Sequence, residues 1–184
     1  MGQAWLLRGE DVTWGLRNPL DPKHAALPKG RVKPPAEAAR DADVVVLATP
    51  WPATEAAVKG LGSLANKIVI DCTNPLGMGP DGLQLVLGFN TSAGEQVASW
   101  APGAFVFKTL NTTGANNMAR AADYRLRPMM PVAGDDAQKK AVVIGARWQA
   151  RLHADRRRPI EECAALGTVR HGLDRPSYEA RSRP

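Results

Sequence analysis

The sequence predicts an α/β protein built on a doubly wound parallel sheet. Three observations carry this expectation. Residues 42–49 (ADVVVLAT) and 67–73 (KIVIDCT) are unbroken apolar runs without alternation, the pattern of strands covered on both faces in a parallel sheet. Helix-like segments separate such runs at the spacing of right-handed βαβ units. Both runs stop abruptly at proline turns, Pro50-Trp51-Pro52 and Asn74-Pro75.

Taken in order, residues 3–8 read as the end of a helix, with Gly9 at the stop position. Residues 11–17 (DVTWGLR) read as a strand closed by Asn18-Pro19, and residues 34–41 (PPAEAARD) as a short helix whose Pro35 suits the first turn. The buried strand at 42–49 leads to a helix at 53–64, and the strand at 67–73 leads to a Gly-rich loop from Leu76 to Gly82. A helix is expected over 94–100, a strand over 104–110 (AFVFKTL), a short helix over 115–122 and an edge strand over 129–133. Asp135-Asp136 is expected to cap a helix over 137–145. No complete G-x-G-x-x-G follows a first strand, because residue 1 already stands at the start of a helix; the sheet is therefore read as lacking its first strand.

Composition narrows the function. The 184 residues are 44% hydrophobic and 23% charged, ordinary for one folded domain rather than a disordered or fibrous chain. No apolar run approaches the roughly 18 residues that cross a bilayer, and the amino end lacks the basic, apolar and small-residue succession of a signal peptide. Two cysteines, Cys72 and Cys163, exclude a disulfide framework and fit a reducing compartment, so the expected location is the cytoplasm. The net charge of +6 suggests nucleic acid at first sight. Residues 1–146, however, carry 15 Lys plus Arg against 13 Asp plus Glu, while the last 38 carry nine Arg and five acids. The excess belongs mostly to a tail, which argues against a nucleic-acid reader. His24, His153 and His171 lie far apart, and neither cysteine has metal-ligand spacing, so no metal site is expected. Neither a G-x-S-x-G setting nor a phosphate-binding G-x-x-x-x-G-K-[ST] loop occurs.

In doubly wound sheets ligands sit beyond the carboxyl ends of the strands. Four strand ends are therefore candidates. Arg17-Asn18 ends a strand without an acid, and an arginine at that position pairs with the 2′-phosphate of NADP where an acid would take the 2′-hydroxyl of NAD. A solvated surface arginine is the other reading of Arg17. Thr49-Pro50-Trp51 and Thr73-Asn74-Pro75 each turn off a buried strand and leave a hydroxyl or amide for a crevice, with Trp51 as an apolar wall; both are equally readable as ordinary strand-to-helix turns. Lys108, Asn111, Thr112 and Thr113 form the richest polar cluster, placed to line a pocket or to cap the helix that follows. No convincing catalytic acid/base pair is present.

These residues resemble the NADPH-dependent coenzyme F420 reductase family, the deazaflavin-dependent NADP oxidoreductases. The resemblance rests on GLRNP (15–19), ADVVVLATPWPATEAAV (42–58), KIVIDCTNPLG (67–77), FKTLNTTGANNM (107–118) and PVAGDDAQKK (131–140). It implies a Rossmann-like fold, NADP as cofactor, coenzyme F420 as co-substrate, and hydride transfer between nicotinamide C4 and deazaflavin C5. By matching motif, Gly2 would approach the diphosphate, Arg17 the 2′-phosphate, and Thr49, Pro50 and Trp51 would line the cofactor crevice. Asn74, Pro75 and Asn111 would face the nicotinamide side. An intact member is a homodimer, with small-molecule cofactors and neither nucleic acid nor membrane as partners. An NADP-binding module without catalysis, and an NADP-linked reductase of an imine, ketone or ferric acceptor, remain open readings, since this sheet hosts many chemistries.

The chain departs from that pattern in three places. Leu16 replaces the small polar residue usual before the arginine. Met1-Gly2-Gln3-Ala4 matches the last four positions of the family loop G-x-G-N-V-G-Q-A, with Met1 in place of valine, so the first strand is expected to lie upstream. After about Ala146 an arginine-rich string follows; read in a shifted frame from Gln149 with suitable synonymous codons, it resembles the family's LGF-x-P-x-DAG strand and NARLLEP helix. Residues 1–146 are thus expected to form the dinucleotide-binding domain, and 147–184 a disordered, frameshifted tail.

Overall fold

The computed structural model describes residues 2–7, 9–88, 90–119, 123–126 and 129–150. Helix α1 (Gly2–Leu6) ends as its glycine requires: Gly9 adopts a φ of 89° and donates its N–H to the Leu6 carbonyl at 3.0 Å. Strands β1 (Trp14–Gly15) and β2 (Val32–Lys33) pair in parallel, Trp14 opposite Val32. The strand expected at 11–17 is thus trimmed to two residues. β2 escapes a periodicity reading because Arg31-Val32-Lys33 sets one apolar residue between two charges. Helix α2 (Pro35–Arg40) begins at a proline, which has no N–H to leave unsatisfied in a first turn.

Strand β3 (Val44–Leu47) is followed by α3 (Trp51–Lys59), which starts two residues before the expected position because Pro52 is accommodated in its first turn; Gly60 caps it short of Leu64. Strand β4 (Ile68–Asp71) leads to the clearest departure from expectation. Where a Gly-rich loop was expected, β5 (Leu76–Gly79) and β6 (Gly82–Leu85) form an antiparallel hairpin. Its turn, Pro80-Asp81, is closed by Gly82 at a φ of 106°, a conformation that favours glycine. Pairing of Leu76 with Leu85 and Met78 with Leu83 collects four exposed apolar side chains on one face.

Helix α4 (Ala93–Trp100) opens with a reciprocal cap: Glu95 N–H donates to Ser92 Oγ at 3.2 Å, and Ser92 N–H donates to Glu95 Oε2 at 2.7 Å. Strand β7 (Phe105–Lys108) and helix α5 (Ala115–Ala119) follow. The edge strand expected at 129–133 reduces to one antiparallel bridge between Lys108 and Ala133, since Pro131 withholds a ladder donor. Helix α6 (Ala137–Ala150) is started by Asp136, whose Oδ1 accepts the Lys139 N–H at 2.7 Å. It crosses the expected boundary at residue 146, and residues 151–184 of the expected tail lie outside the described residues.

The parallel strands divide into two sheets, β1–β2 and β3-β4-β7, with no ladder between β1 and β3. β4 is central and buried at all four positions, while Val44, Val45 and Val46 of the edge strand β3 are half-buried. Period-2 alternation sends side chains to two cores. Leu47 and Val69 meet Val58, Leu61, Leu64, Val97 and Ala101 on the α3/α4 side. Ile68, Ile70 and Phe107 meet Trp5 of α1, Met130 and Val143 of α6 on the other. At about 1.5–3 kcal/mol for each fully buried aliphatic or phenyl side chain, these two clusters hold the layers together. Helices on both faces of a parallel sheet make the architecture Rossmann-like. No helix among the described residues is long and apolar enough to cross a membrane.

Candidate functional site

Parallel pairing brings the carboxyl ends of β3, β4 and β7 to one end of the sheet, and each ends in a polar turn. After β4 and β7, Asn74 and Asn111 join two loops 37 residues apart in sequence. Asn74 Nδ2 donates to the Asn111 carbonyl at 3.3 Å, and Asn111 Nδ2 donates to Asn74 Oδ1 at 3.2 Å. An amide nitrogen carries two protons and an amide oxygen two lone pairs. One N–H on each side chain, and Asn111 Oδ1, therefore stand unused by this pair.

After β3, Thr54 of α3 is fully buried and donates to the Pro50 carbonyl at 3.1 Å. That bond uses the only proton on its hydroxyl. The 3.0 Å contact between Thr49 Oγ1 and Thr54 Oγ1 must then be donated by Thr49. Thr49 is left as an acceptor only, suited to a ribose hydroxyl or an amide N–H and unable to donate to a phosphate. Trp51 lies against Trp100 of α4, ring centroids 5.6 Å apart at 37°, and packs on the α3/α4 core, so much of its ring is occupied in structure.

Beneath these turns, Asp71 and Lys108 face each other in the β4–β7 register. Lys108 Nζ donates to Asp71 Oδ2 at 2.9 Å, to Thr73 Oγ1 at 3.3 Å and to the Thr73 carbonyl, and Asp71 Oδ1 accepts the Thr73 N–H at 2.8 Å. Asp71 is fully buried and Lys108 is 19% exposed. Lys108 is thus spent on a buried ion pair. Burial, with the Asp71 charge beside it, pushes the Cys72 thiol up to about 12, so it stays protonated and poorly nucleophilic near neutral pH. The chain then bends sharply: Leu110 is buried yet adopts a φ of 63°, and Thr109 donates to the Pro131 carbonyl at 2.7 Å.

The remaining expected residues stand elsewhere. Arg17 and Asn18 are exposed at the end of β1, and Arg17 has no hydrogen-bond or ion-pair partner among the described residues. Gly2 starts α1 against the indole of Trp14, where an added Cβ would sit 3.1 Å from the ring; that is the helix-to-strand packing role of the third glycine in a dinucleotide fingerprint. Pro50 is exposed and Pro75 buried, each fixing its turn. No hydrogen bond among the described residues links Gly2 or Arg17 to the turns at 49–51, 73–75 and 111. Among the described residues no cluster of three or more His, Cys, Asp or Glu could hold a metal.

The family described as NADP oxidoreductase, coenzyme F420-dependent, matches residues 1–75. A crystal structure of a candidate F420-dependent NADP-reductase from Arthrobacter sp. FB24 is 30% identical and superposes with a TM-score of 0.70, covering 82% of this chain and 74% of that one. The chain belongs to the coenzyme F420-dependent NADP oxidoreductase family. The chain is also similar to the crystal structure of a hypothetical protein from Sinorhizobium meliloti, at 26% identity and a TM-score of 0.57, covering 66% of this chain and 60% of that one. No curated protein matches the chain.

Within this member of the F420-dependent family, two features escape a reading of strand ends alone. Asp71 hides inside the apolar run IVIDC, and its importance emerges only when KIVIDCT is laid beside AFVFKTL, which puts acid and lysine at the same register position. The polarity of Thr49 depends on Thr54, five residues away across the turn, and carries no sequence signal of its own.

Proposed function

We propose that the protein is an oxidoreductase that moves a hydride between NADP(H) and the deazaflavin coenzyme F420, with residues 1–146 as its dinucleotide-binding domain. The observation that carries this reading is Arg17, an exposed guanidinium without a partner among the described residues, at a strand end that bears no acid. A guanidinium pairs bidentately with phosphate, so Arg17 suits the 2′-phosphate of NADP. The free valences of the Asn74–Asn111 pair, two N–H groups and one oxygen, match a primary carboxamide such as that of nicotinamide. Thr49, as an acceptor, suits a ribose hydroxyl or the carboxamide N–H.

When bound, the nicotinamide exchanges a hydride at C4 and the deazaflavin at C5. The residues of the chain bind, orient and exclude water; the reaction asks no proton transfer of them. Cys72 stays a half-buried neutral thiol and takes no part.

Titration of the full chain with NADPH and NADH, followed by the absorbance of added coenzyme F420, tests the reading. NADPH should bind at least tenfold more tightly than NADH, Arg17→Ala should remove most of that preference, and the deazaflavin should be reduced. Tighter NADH binding refutes the role of Arg17. NADPH binding without deazaflavin reduction leaves a binding module, or a reductase of another acceptor, in its place.

A further inference from the structure

Among the described residues, the side chains of Lys108 and Asp71 form a cradle around one residue, Thr73. The ammonium has three protons, and all three are used: on Asp71 Oδ2, on Thr73 Oγ1 and on the Thr73 carbonyl. The second carboxylate oxygen takes the Thr73 N–H. Thr73 is therefore gripped at its amide, its carbonyl and its hydroxyl by two neighbouring strands, and the next residue is Asn74. On the other strand, Lys108 is bridged to Ala133, Thr109 is tied to the Pro131 carbonyl, and Leu110 turns in the left-handed region to deliver Asn111. A buried ion pair is weak evidence for stability, because apolar replacements of similar volume are often as stable. What such a pair supplies here is a fixed geometry for the two residues that flank it.

We propose that the buried Lys108–Asp71 pair is a positioning device that holds the Asn74 and Asn111 amides in register as a preformed receptor for the carboxamide half of NADP(H). The proposal rests on the NADP reading above and adds the residues that make the receptor rigid. Neither Asp71 nor Lys108 touches the ligand in this scheme. They act through Thr73 and the strand ends.

The test is the apolar double variant Asp71→Leu/Lys108→Met in the full chain, which removes both charges together and avoids stranding one of them. Lys108→Met alone is expected to unfold more readily, and the double variant keeps the question answerable. Its melting temperature should stay within about 5 °C of the parent. In the free protein, the side-chain NH₂ resonances of Asn74 and Asn111 should be dispersed and slow to exchange in the parent and should collapse toward solvent-exposed values in the double variant. NADPH affinity should fall about tenfold, whereas 2′,5′-ADP, which carries only the adenosine 2′-phosphate half, should bind as before. Thr73→Ser keeps every anchored atom and should behave as the parent, while Thr73→Val should lose part of the NADPH affinity.

Unchanged amide resonances, or an equal loss of NADPH and 2′,5′-ADP affinity, overturns the positioning role. A parent protein that binds neither ligand refutes the NADP reading instead and removes the ligand half of the proposal; the amide resonances then still decide whether the ion pair holds the two asparagines.

Discussion

Gly134→Ala should destabilise the protein strongly, although the same change is usually mild. An alanine Cβ at 134 would lie 2.7 Å from Phe107 Cε1, closer still to Cδ1, and 2.8 Å from the Val106 carbonyl oxygen. Phe107 is fully buried in the α1/α6-side core, and the carbonyl belongs to β7, so neither can yield. The segment carrying residues 131–134 would have to lift away. Lifting it breaks both backbone bonds between Lys108 and Ala133, at 2.8 and 3.0 Å, and the Thr109 bond to Pro131. Overpacking costs about 1–3 kcal/mol and each of the lost bonds about 0.5–1.5 kcal/mol, so the lower ends of these ranges alone place the effect at about 3 kcal/mol. At roughly 2–4 °C per kcal/mol for a chain of this size, the melting temperature should fall by about 6–12 °C. Thermal unfolding followed by circular dichroism reads this directly. Gly114→Ala, with nothing within 4 Å of its added Cβ, is the control and should shift the midpoint by no more than about 2 °C. Equal midpoints for the two variants would refute the packing argument and the claim that residues 131–134 brace the end of β7.

Three further outcomes are expected. Gly145→Ala, inside α6 and with open space around its Cβ, should stabilise the chain by about 1 kcal/mol in a denaturant titration, the difference in helix propensity. Leu110→Gly relieves a left-handed backbone worth about 1–2 kcal/mol but removes a side chain only 6% exposed, worth about 2–5 kcal/mol, so the variant should be less stable; a gain would mean that strain outweighs packing there. In a Cys163→Ser background, Cys72 should react only slowly with a disulfide reagent at pH 8. Its thiol holds a proton in the folded state that the unfolded chain releases near 9, so its contribution to stability is complete below pH 9 and declines at about 1.4 kcal/mol per pH unit as pH rises toward 12. Cys72→Ala should flatten that part of the pH profile, and an identical slope in both proteins would count against the half-buried, neutral thiol.

What the sequence made legible follows from which signals are local. Val44–Leu47 and Ile68–Asp71 are apolar at every position, and such runs have few options other than parallel strands packed on both sides. Proline after each run marks the turn, so the places where these two strands stop are legible in the sequence alone. The hairpin at 76–85 was obscured by its glycines and by Pro80, even though Leu76 and Met78, then Leu83 and Leu85, do alternate; at Gly77 the Val86 side chain folds over the position where a Cβ would stand. β2 is too short and too charged for any period to register. The Asp71–Lys108 pair, the proton direction at Thr49 and the backbone of Leu110 are set by register and by tertiary packing, which reach across tens of residues. A pattern confined to a short window does not contain them.

The separation of β1–β2 from the larger sheet has a consequence for how a long ligand would be held. Two-residue strands offer little backbone cohesion, and none of their four residues is fully buried. The pair is fastened mainly through α2, which meets Gly15 closely, and through Val12. Arg17 rides on this lightly moored corner, while the asparagines stand on the firm one. A dinucleotide bound as proposed would act as a tie-rod between unequally rigid anchorages, and its grip would fall below what its two halves promise separately by the cost of steadying the looser mount.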